Sequence, residues 1–108
     1  MLPSHATDIR EYLDRNGRCP YAEWFDRLNA ARVTIAITRI GQGNFSNVKS
    51  VGSGVHESKI DFGPGYRVYF GIDGRRLVIL LGGGTKKKQQ RDINEAISKW
   101  QDYKKRKR

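Results

Sequence analysis

The chain has 108 residues, of which 21 are lysine or arginine and 11 are aspartate or glutamate, so its net charge is +10 at neutral pH. This length fits one domain with a single modest core, and the apolar content of 37% excludes general disorder. A charge this high disfavours a compact fold through self-repulsion. We therefore expect a polyanionic partner, with nucleic acid as the first candidate and an acidic protein as the second.

The single cysteine, Cys19, excludes an internal disulfide and fits a reducing compartment. No apolar run in the sequence reaches the length of a membrane span, and the N-terminal segment lacks the apolar core of a signal peptide. We therefore expect a cytoplasmic protein that does not contact a membrane. No group of histidine, cysteine and carboxylate residues has the spacing of metal ligands, so neither a metal nor another cofactor is expected.

The first half of the chain predicts one strand followed by two helices. The strand is placed at 7–13, where neither face is cleanly apolar, as is typical of an edge strand. Pro20 suits the first position of a helix because its missing N–H would be unpaired there anyway. A second helix is placed at 30–40, and both helices would pack one apolar side against a sheet. The apolar positions with helical spacing are Tyr21, Trp24, Phe25 and Leu28, then Val33, Ala36, Ile37 and Ile40.

The second half predicts antiparallel strands joined by turns that contain glycine. One short strand and three longer ones are placed at 48–51, 55–62, 66–72 and 77–81. Gly63-Pro64-Gly65 ends one strand, and Asp73-Gly74 is a hairpin signal before the last one. The unbroken apolar run at 77–81 is typical of a strand covered on both faces. The three glycines that follow it are expected to form a turn.

A third helix is predicted at 89–103, where four apolar residues recur with helical spacing, namely Ile93, Ala96, Ile97 and Trp100. Residues 104–108 carry no core position and are expected to form a mobile basic tail. The sequence therefore predicts a single α+β domain at 1–103, with the order strand, two helices, four strands and a final helix.

Two cations on neighbouring predicted strands, Lys59 and Arg67, share one face of the sheet if the register matches. Tyr69 lies on the Arg67 face, and an arginine beside a tyrosine can bind a phosphate and stack a base. Two simpler interpretations stay open. The cations can be solvated charges on an open sheet face, or one of them can form a cross-strand ion pair with Glu57.

A run of three lysines, Lys86-Lys87-Lys88, stands at the start of the predicted third helix. Cations there oppose the positive end of the helix dipole, which predicts a compensating anion nearby. Gln89 and Gln90 can hydrogen-bond a ribose or a base, although both also suit ordinary helix positions. His56 falls on the strand face opposite Lys59, so a structural role is expected for it.

The segment Glu57–Phe70, ESKIDFGPGYRVYF, resembles the RelE/ParE toxin superfamily, and most of all its HigB-like branch of addiction module killer proteins. Further matching segments are GQGNFSNVKSVGSGVHE at 41–57, LVILLGGGTKKKQQRDI at 77–93 and the helix that contains Trp24, Phe25 and Leu28. The resemblance implies a small curved antiparallel sheet with two N-terminal helices packed on one face and a C-terminal helix.

The resemblance also implies the toxin of a type II toxin–antitoxin system, a metal-independent endoribonuclease that cuts ribosome-bound mRNA and arrests translation. Its partners would be mRNA, the ribosome and an acidic helix-turn-helix antitoxin, through which the complex would bind operator DNA. Arg67→Ala is then expected to abolish growth arrest and leave the fold intact. The implied catalytic residues are Lys59, Arg67, Lys86 and Lys87, with Lys59 or Lys86 as the base, and the implied RNA contacts are Tyr66, Tyr69, Lys88, Gln89 and Gln90.

This sequence departs from the family pattern at three places. RelE has a second strand lysine where this chain has Glu57, and the C-terminal tyrosine of RelE aligns near Ile93. HigB enzymes carry active-site histidines that Lys86–Lys88 do not supply. Two other functions therefore stay open, a ParE-like inhibitor of DNA gyrase without ribonuclease activity and a catalytically inactive module that binds antitoxin and DNA.

Overall fold

The structure, a computed structural model, describes residues 6–26, 31–75 and 77–107. It confirms the predicted α+β class and the predicted order of elements. Within the described residues, no helix is both long enough and apolar enough to cross a membrane. The elements are β1 (Asp8–Glu11), α1 (Pro20–Phe25), α2 (Ala31–Gly41), β2 (Val48–Gly52), β3 (Val55–Ile60), β4 (Tyr66–Asp73), β5 (Leu77–Thr85), a 3₁₀ turn (Lys86–Lys88) and α3 (Gln89–Arg106).

The five strands form one sheet in the order β1-β5-β4-β3-β2. Strands β2 to β5 are antiparallel neighbours, as predicted, whereas β1 lies parallel to β5 at the edge. The sheet is therefore mixed, which corrects the expectation of a purely antiparallel one. Local alternation is the same for both pairing directions, so the sequence pattern of β1 could not reveal its direction. Its start is fixed by Thr7, which donates through its N–H to Gly41 O and through its hydroxyl to Ile40 O.

Helices α1 and α2 pack on one face of the sheet, and α3 packs on the other. The alternation along β4 explains this, because Val68 and Phe70 enter the core under α1 and α2 while Tyr69 enters the core under α3. Trp24 and Trp100 are both buried in these cores, as their helical spacing predicted. Leu28, the last predicted position of the first helical stripe, lies outside the described residues.

Helix α1 begins where Pro20 predicted it, and Cys19 immediately precedes it as the N-cap. The Cys19 sulfur accepts the N–H of Ala22 at 3.4 Å and donates to Glu11 at 3.3 Å. Burial raises the pKa of the Cys19 thiol, so the group stays protonated and acts as a small, half-buried cap.

The three glycines after Leu81 continue β5 and do not form the predicted turn. A methyl group on Gly83 would lie 2.4 Å from the Trp24 ring, and one on Gly84 would lie 1.9 Å from Asp92 Oδ2. The strand therefore needs glycine here because side chains from both helical layers pack directly on its backbone. This packing, and not turn formation, explains Gly83 and Gly84.

Helix α3 continues to Arg106, beyond its predicted end, so residues 104–107 do not form the expected mobile tail. Tyr12 donates its hydroxyl to Asp102 at 2.7 Å, and Tyr103 donates to Asp73 at the same distance. Lys107 also pairs with Asp73, and Arg106 donates to the carbonyl of Leu13. The basic residues stabilise the negative end of the helix dipole and hold the end of α3 against the sheet. Residue 108 lies outside the described residues.

These contacts predict a pH dependence of stability. The hydrogen bonds from Lys107 and Tyr103 lower the pKa of Asp73, and the hydrogen bond from Tyr12 lowers the pKa of Asp102, both from an ordinary value of 3.8. A lowered folded-state pKa adds stability above the unfolded pKa, and that stability is lost as pH falls through the folded pKa. We expect the unfolding free energies of wild type and Asp73→Asn/Asp102→Asn to differ most near neutral pH and to approach each other as pH falls from 3.8 through the lowered folded-state pKa values.

Urea unfolding at a series of pH values measures this convergence. Ser98→Ala, at an exposed position of α3 that carries no ionisable group, gives the control and should differ from wild type by the same amount at every pH. A gap between wild type and the double variant that stays constant from neutral pH down to acid unfolding would contradict the assignment.

Candidate functional site

The register of β3 and β4 places Lys59 directly opposite Arg67, as the shared-face prediction required. The two side chains differ sharply in exposure, with Lys59 at 53% and Arg67 at 5%. Lys59 reaches solvent at the end of the strand, and its Nζ lies 3.5 Å from Asp61 Oδ1. Arg67 is enclosed beneath α3, where its Nη1 donates to the carbonyl of Tyr66 at 3.3 Å. Lys59 can therefore contact a solute, whereas Arg67 is buried in the protein.

The buried partner of Arg67 is Glu57, whose side chain is only 1% exposed. The Nε of Arg67 lies 3.5 Å from Glu57 Oε1, and Lys49 Nζ lies 3.7 Å from the same oxygen. The Gln89 amide donates to the second oxygen, Oε2, at 2.7 Å. The cross-strand ion pair that the sequence left open is therefore present, between Glu57 and Arg67. The same carboxylate also joins β3 to the first residue of α3.

Three buried polar atoms in this cluster have no hydrogen-bond partner among the described residues, namely Glu57 Oε1, Arg67 Nε and Tyr69 OH. Tyr69 lies directly opposite Glu57. Burial, followed by the negative charge of Glu57, raises the pKa of Tyr69 far above its ordinary range, so the phenol stays neutral. The buried charges of Glu57 and Arg67 compensate each other, and removing either one leaves the other unpaired in a region of low dielectric.

The loop after β3 joins Arg67 to the lysine run. The N–H of Lys86 donates to the carbonyl of Gly65 at 2.8 Å. A methyl group on Gly65 would lie 3.4 Å from Arg67 Nη1 and 3.5 Å from Lys86 Cβ, and the φ of Gly65 is +78°. Glycine is thus needed here for its conformation, and it lets the backbone pass close to both cations. Lys59, Arg67 and Lys86 are therefore neighbours at one end of the sheet.

The start of α3 contains the compensating anion that the sequence predicted, and the protein itself supplies it. Lys88 is the N-cap residue and makes no side-chain capping bond, while Lys86, Lys87 and Lys88 are all exposed. Glu57 accepts a hydrogen bond from the side chain of Gln89, the first residue of the helix, and Asp92 is buried in the first turn. These buried carboxylates stabilise the positive end of the helix dipole, and the lysine side chains remain exposed to solvent.

Three of the predicted RNA contacts are buried or engaged in contacts within the protein. Tyr69 is 1% exposed under α3, so its ring offers no surface on which a base could stack. Tyr66 lies on the opposite sheet face, where its ring packs edge-on against the Trp24 ring with 6.4 Å between the ring centres. Gln90 is exposed and donates to Asn94 within α3 at 3.0 Å. His56 stacks on Phe70 on the face opposite Lys59, as predicted, and burial lowers its pKa.

A groove that the sequence did not reveal lies beside Lys59, between α2 and the β2–β3 end of the sheet. It has a volume of about 210 Å³, and Phe62 at its rim is 49% exposed. The guanidinium of Arg32 lies over the Phe62 ring, 4.6 Å from its centre. The available signal was an aromatic residue directly before Gly63-Pro64-Gly65, a position that turn chemistry leaves at the surface.

The arrangement places a fixed buried cation beside exposed lysines, which suits contact with a phosphate group. No group of three histidine, cysteine or carboxylate side chains able to hold a metal ion occurs within residues 6–26, 31–75 and 77–107.

The chain is similar to a protein of Haemophilus influenzae. No protein-family model matches the chain. A Haemophilus influenzae protein described as uncharacterized is 41% identical over 80 residues, which cover 70% of this chain and 81% of the relative. Identity at this level over most of the relative's length shows common descent. The chain therefore belongs to the same family as this Haemophilus influenzae protein.

Proposed function

We propose that the protein is the toxin of a type II toxin–antitoxin pair and cuts ribosome-bound mRNA without a metal. The observation that carries this proposal is the convergence of Lys59, Arg67 and Lys86 at one end of the sheet. The RelE/ParE resemblance of the same segments, and the net charge of +10, agree with an RNA substrate in the cytoplasm.

Cleavage would proceed by attack of a ribose 2′-hydroxyl on the adjacent phosphate. Lys59 or Lys86 would accept the proton of the attacking hydroxyl as general base. Arg67, held beneath the exposed lysines by Glu57, would add positive charge near the phosphorane without touching it. Lys87 would donate a proton to the 5′-oxygen as its bond to phosphorus breaks, which leaves a 2′,3′-cyclic phosphate and a 5′-hydroxyl. Fixed charge in a partly dry site stabilises a transition state more than mobile charge in water.

The exposed lysines would also serve inhibition by a partner. An acidic antitoxin of the helix-turn-helix type would cover the positively charged surface, and the complex would bind operator DNA through the antitoxin. Electrostatic complementarity of this kind favours fast association and depends strongly on salt.

Single lysine variants test the proposal. Lys59→Ala and Lys86→Ala are each expected to reduce the rate of RNA cleavage by about 100-fold, the usual effect of losing a general base or a charge stabiliser. Both side chains are exposed, so the fold should be unaffected. The readout is growth arrest on induced expression together with mapping of mRNA 5′ ends. Lys105→Ala is the matched control, because Lys105 is an exposed lysine in the last turn of α3.

Two outcomes would replace this proposal. DNA damage with intact mRNA on induction would favour the gyrase inhibitor. The burial of Arg67 supports that alternative, because a buried arginine cannot contact RNA unless the structure rearranges. Expression without any effect on growth would favour the inactive module that binds antitoxin and DNA.

A further inference from the structure

The groove between α2 and the β2–β3 end of the sheet is a second concave surface beside the basic cluster. Its volume of about 210 Å³ is below the size of a pocket for a drug-sized ligand and fits one flat ring system. Lys59 and Asp61 line it at the end of the sheet. Ser58 and Ile60 line it from the sheet face opposite the Lys59 and Arg67 side chains, so the groove and the proposed phosphate site meet around the end of the sheet. A molecule that extends from one site to the other would combine a ring with a phosphate.

The rim of the groove offers a stacking surface. Phe62 is 49% exposed, although an aromatic ring of this size is usually buried. The guanidinium of Arg32 lies over this ring, 4.6 Å from its centre, so a cation–π pair stands at the mouth of the groove. Bases of single-stranded RNA bind proteins by stacking on aromatic rings and on arginine planes.

The walls carry the polar groups that a base edge needs. Asn47 and Ser58 line the groove from the β2–β3 side, and Arg39 lines it from α2. Amide and hydroxyl groups can pair with the edge of a base, and the cations favour the backbone of the same nucleotide. The lining mixes these polar groups with apolar side chains such as Ile35 and Ile60, which suits the apolar face and the polar edge of a base.

The loop at 62–65 connects this groove to the lysine run. The N–H of Gly65 donates to the carbonyl of Phe62 at 3.1 Å, and the carbonyl of Gly65 accepts from Lys86 at 2.8 Å. Phe62 and Lys86 are therefore fixed to opposite ends of one tight turn. The loop therefore places the Phe62 ring and the lysine run at the same end of the sheet.

We propose that this groove binds one base of a single-stranded RNA, next to the phosphate held at Lys59. The inference rests on the proposed RNA substrate and adds the subsite that would set sequence preference. Phe62 and Arg32 form the stacking surface, and Asn47 contacts the base edge.

Binding of an uncleavable RNA tests the subsite without requiring catalysis. The probe is a fluorescent pentanucleotide whose riboses carry 2′-O-methyl groups, titrated at one fixed salt concentration because phosphate contacts depend on salt. Phe62→Ala is expected to weaken binding about 10-fold, and Phe62→Tyr, which keeps a ring, should stay within about twofold of wild type. Ile35→Ala is the matched control, because Ile35 lines the same groove and is 48% exposed, almost as much as Phe62. It should also stay within about twofold.

Base preference provides the second readout. Wild type should prefer one of the four homopolymeric pentanucleotides, and Asn47→Ala should reduce that preference while leaving the weaker affinities unchanged. Equal loss of RNA affinity in Phe62→Ala and Ile35→Ala would show an unspecific apolar contact and overturn the inference. No loss in Phe62→Ala, or no RNA binding at all, would overturn it as well.

An acidic protein segment is the competing occupant. A synthetic amphipathic peptide of leucine and glutamate is the probe, and binding that falls equally in Phe62→Ala and Ile35→Ala while RNA affinity stays unchanged would assign the groove to a protein and overturn the inference. A chain that binds RNA through Phe62 but does not cleave it would contradict the proposed nuclease function and support the proposed subsite. A chain that cleaves RNA and binds it normally without the Phe62 ring would do the reverse.

Discussion

Arg67→Ala is expected to lower the free energy of unfolding by about 3–5 kcal/mol, a large share of the stability of a domain this size. Arg67 is 4% exposed and its Nε lies 3.5 Å from the buried Glu57. The substitution leaves the carboxylate without its buried cation, and Lys49, which is 65% exposed and 3.7 Å away, replaces little of that charge. The burial of Arg67 therefore replaces the sequence-based expectation that Arg67→Ala leaves the fold intact with the expectation of a large loss of stability.

Urea unfolding measures this effect, with wild type and variant compared at equal slope. Lys59→Ala is the control, because Lys59 stands directly opposite Arg67 but is exposed, so its removal should change stability by less than about 0.5 kcal/mol. The double variant Glu57→Met/Arg67→Met should recover most of the loss, since an apolar pair of similar size needs no charge compensation. Equal stabilities of Arg67→Ala and Lys59→Ala would show that the ion pair contributes nothing.

This result decides how a loss of toxicity is interpreted. Arg67→Ala would be inactive for two reasons at once, a missing charge at the phosphate and a weakened fold. The Met/Met variant separates them, because it restores the fold and keeps the charge absent. Growth arrest by a stable Met/Met variant would remove Arg67 from the catalytic set and leave the exposed lysines as the site.

Alternation alone predicted that Lys59 and Arg67 share a face, because side-chain direction in a strand is a local property. The burial of Arg67 could not be predicted in that way. It depends on α3 crossing that face of the sheet, and α3 is distant in sequence from β3 and β4. The same packing buries Tyr69. The sequence predicted Tyr69 as a base contact because it lies on the same strand face as Arg67. Local periodicity gives direction, and exposure is decided by what packs on top.

Glycine shows the same limit from the other side. Local preference predicted a turn at 82–84, because glycine weakens a strand and tolerates many backbone conformations. The observed strand continues because Trp24 and Asp92 occupy the space above Gly83 and Gly84. The absence of a side chain is used there for packing, and only the positions of two distant helices reveal it.

Gly71→Ala is expected to lower the free energy of unfolding by about 3 kcal/mol, at the upper end of the usual cost of overpacking. A methyl group on Gly71 would lie 2.4 Å from Cε3 and 2.5 Å from Cζ3 of Trp100. The Trp100 ring cannot move away freely, because it is 5% exposed and stacks on Tyr103 at 5.3 Å with nearly parallel planes. The strand or the helix must therefore shift as a unit, which disturbs the core under α3.

Gly82→Ala is the matched control, since Gly82 is also a strand glycine and its methyl group would meet only Lys99 Nζ, 4.0 Å away. Alanine there should leave stability unchanged within about 0.5 kcal/mol, or raise it slightly by restricting the unfolded chain. Urea midpoints at equal slope give the comparison, and the near-ultraviolet circular dichroism of Trp100 should change in the Gly71 variant alone. Similar midpoints for the two variants would mean that Trp100 adjusts at little cost. The glycine at position 71 would then need another explanation than the close approach of α3, because its backbone conformation is open to any residue.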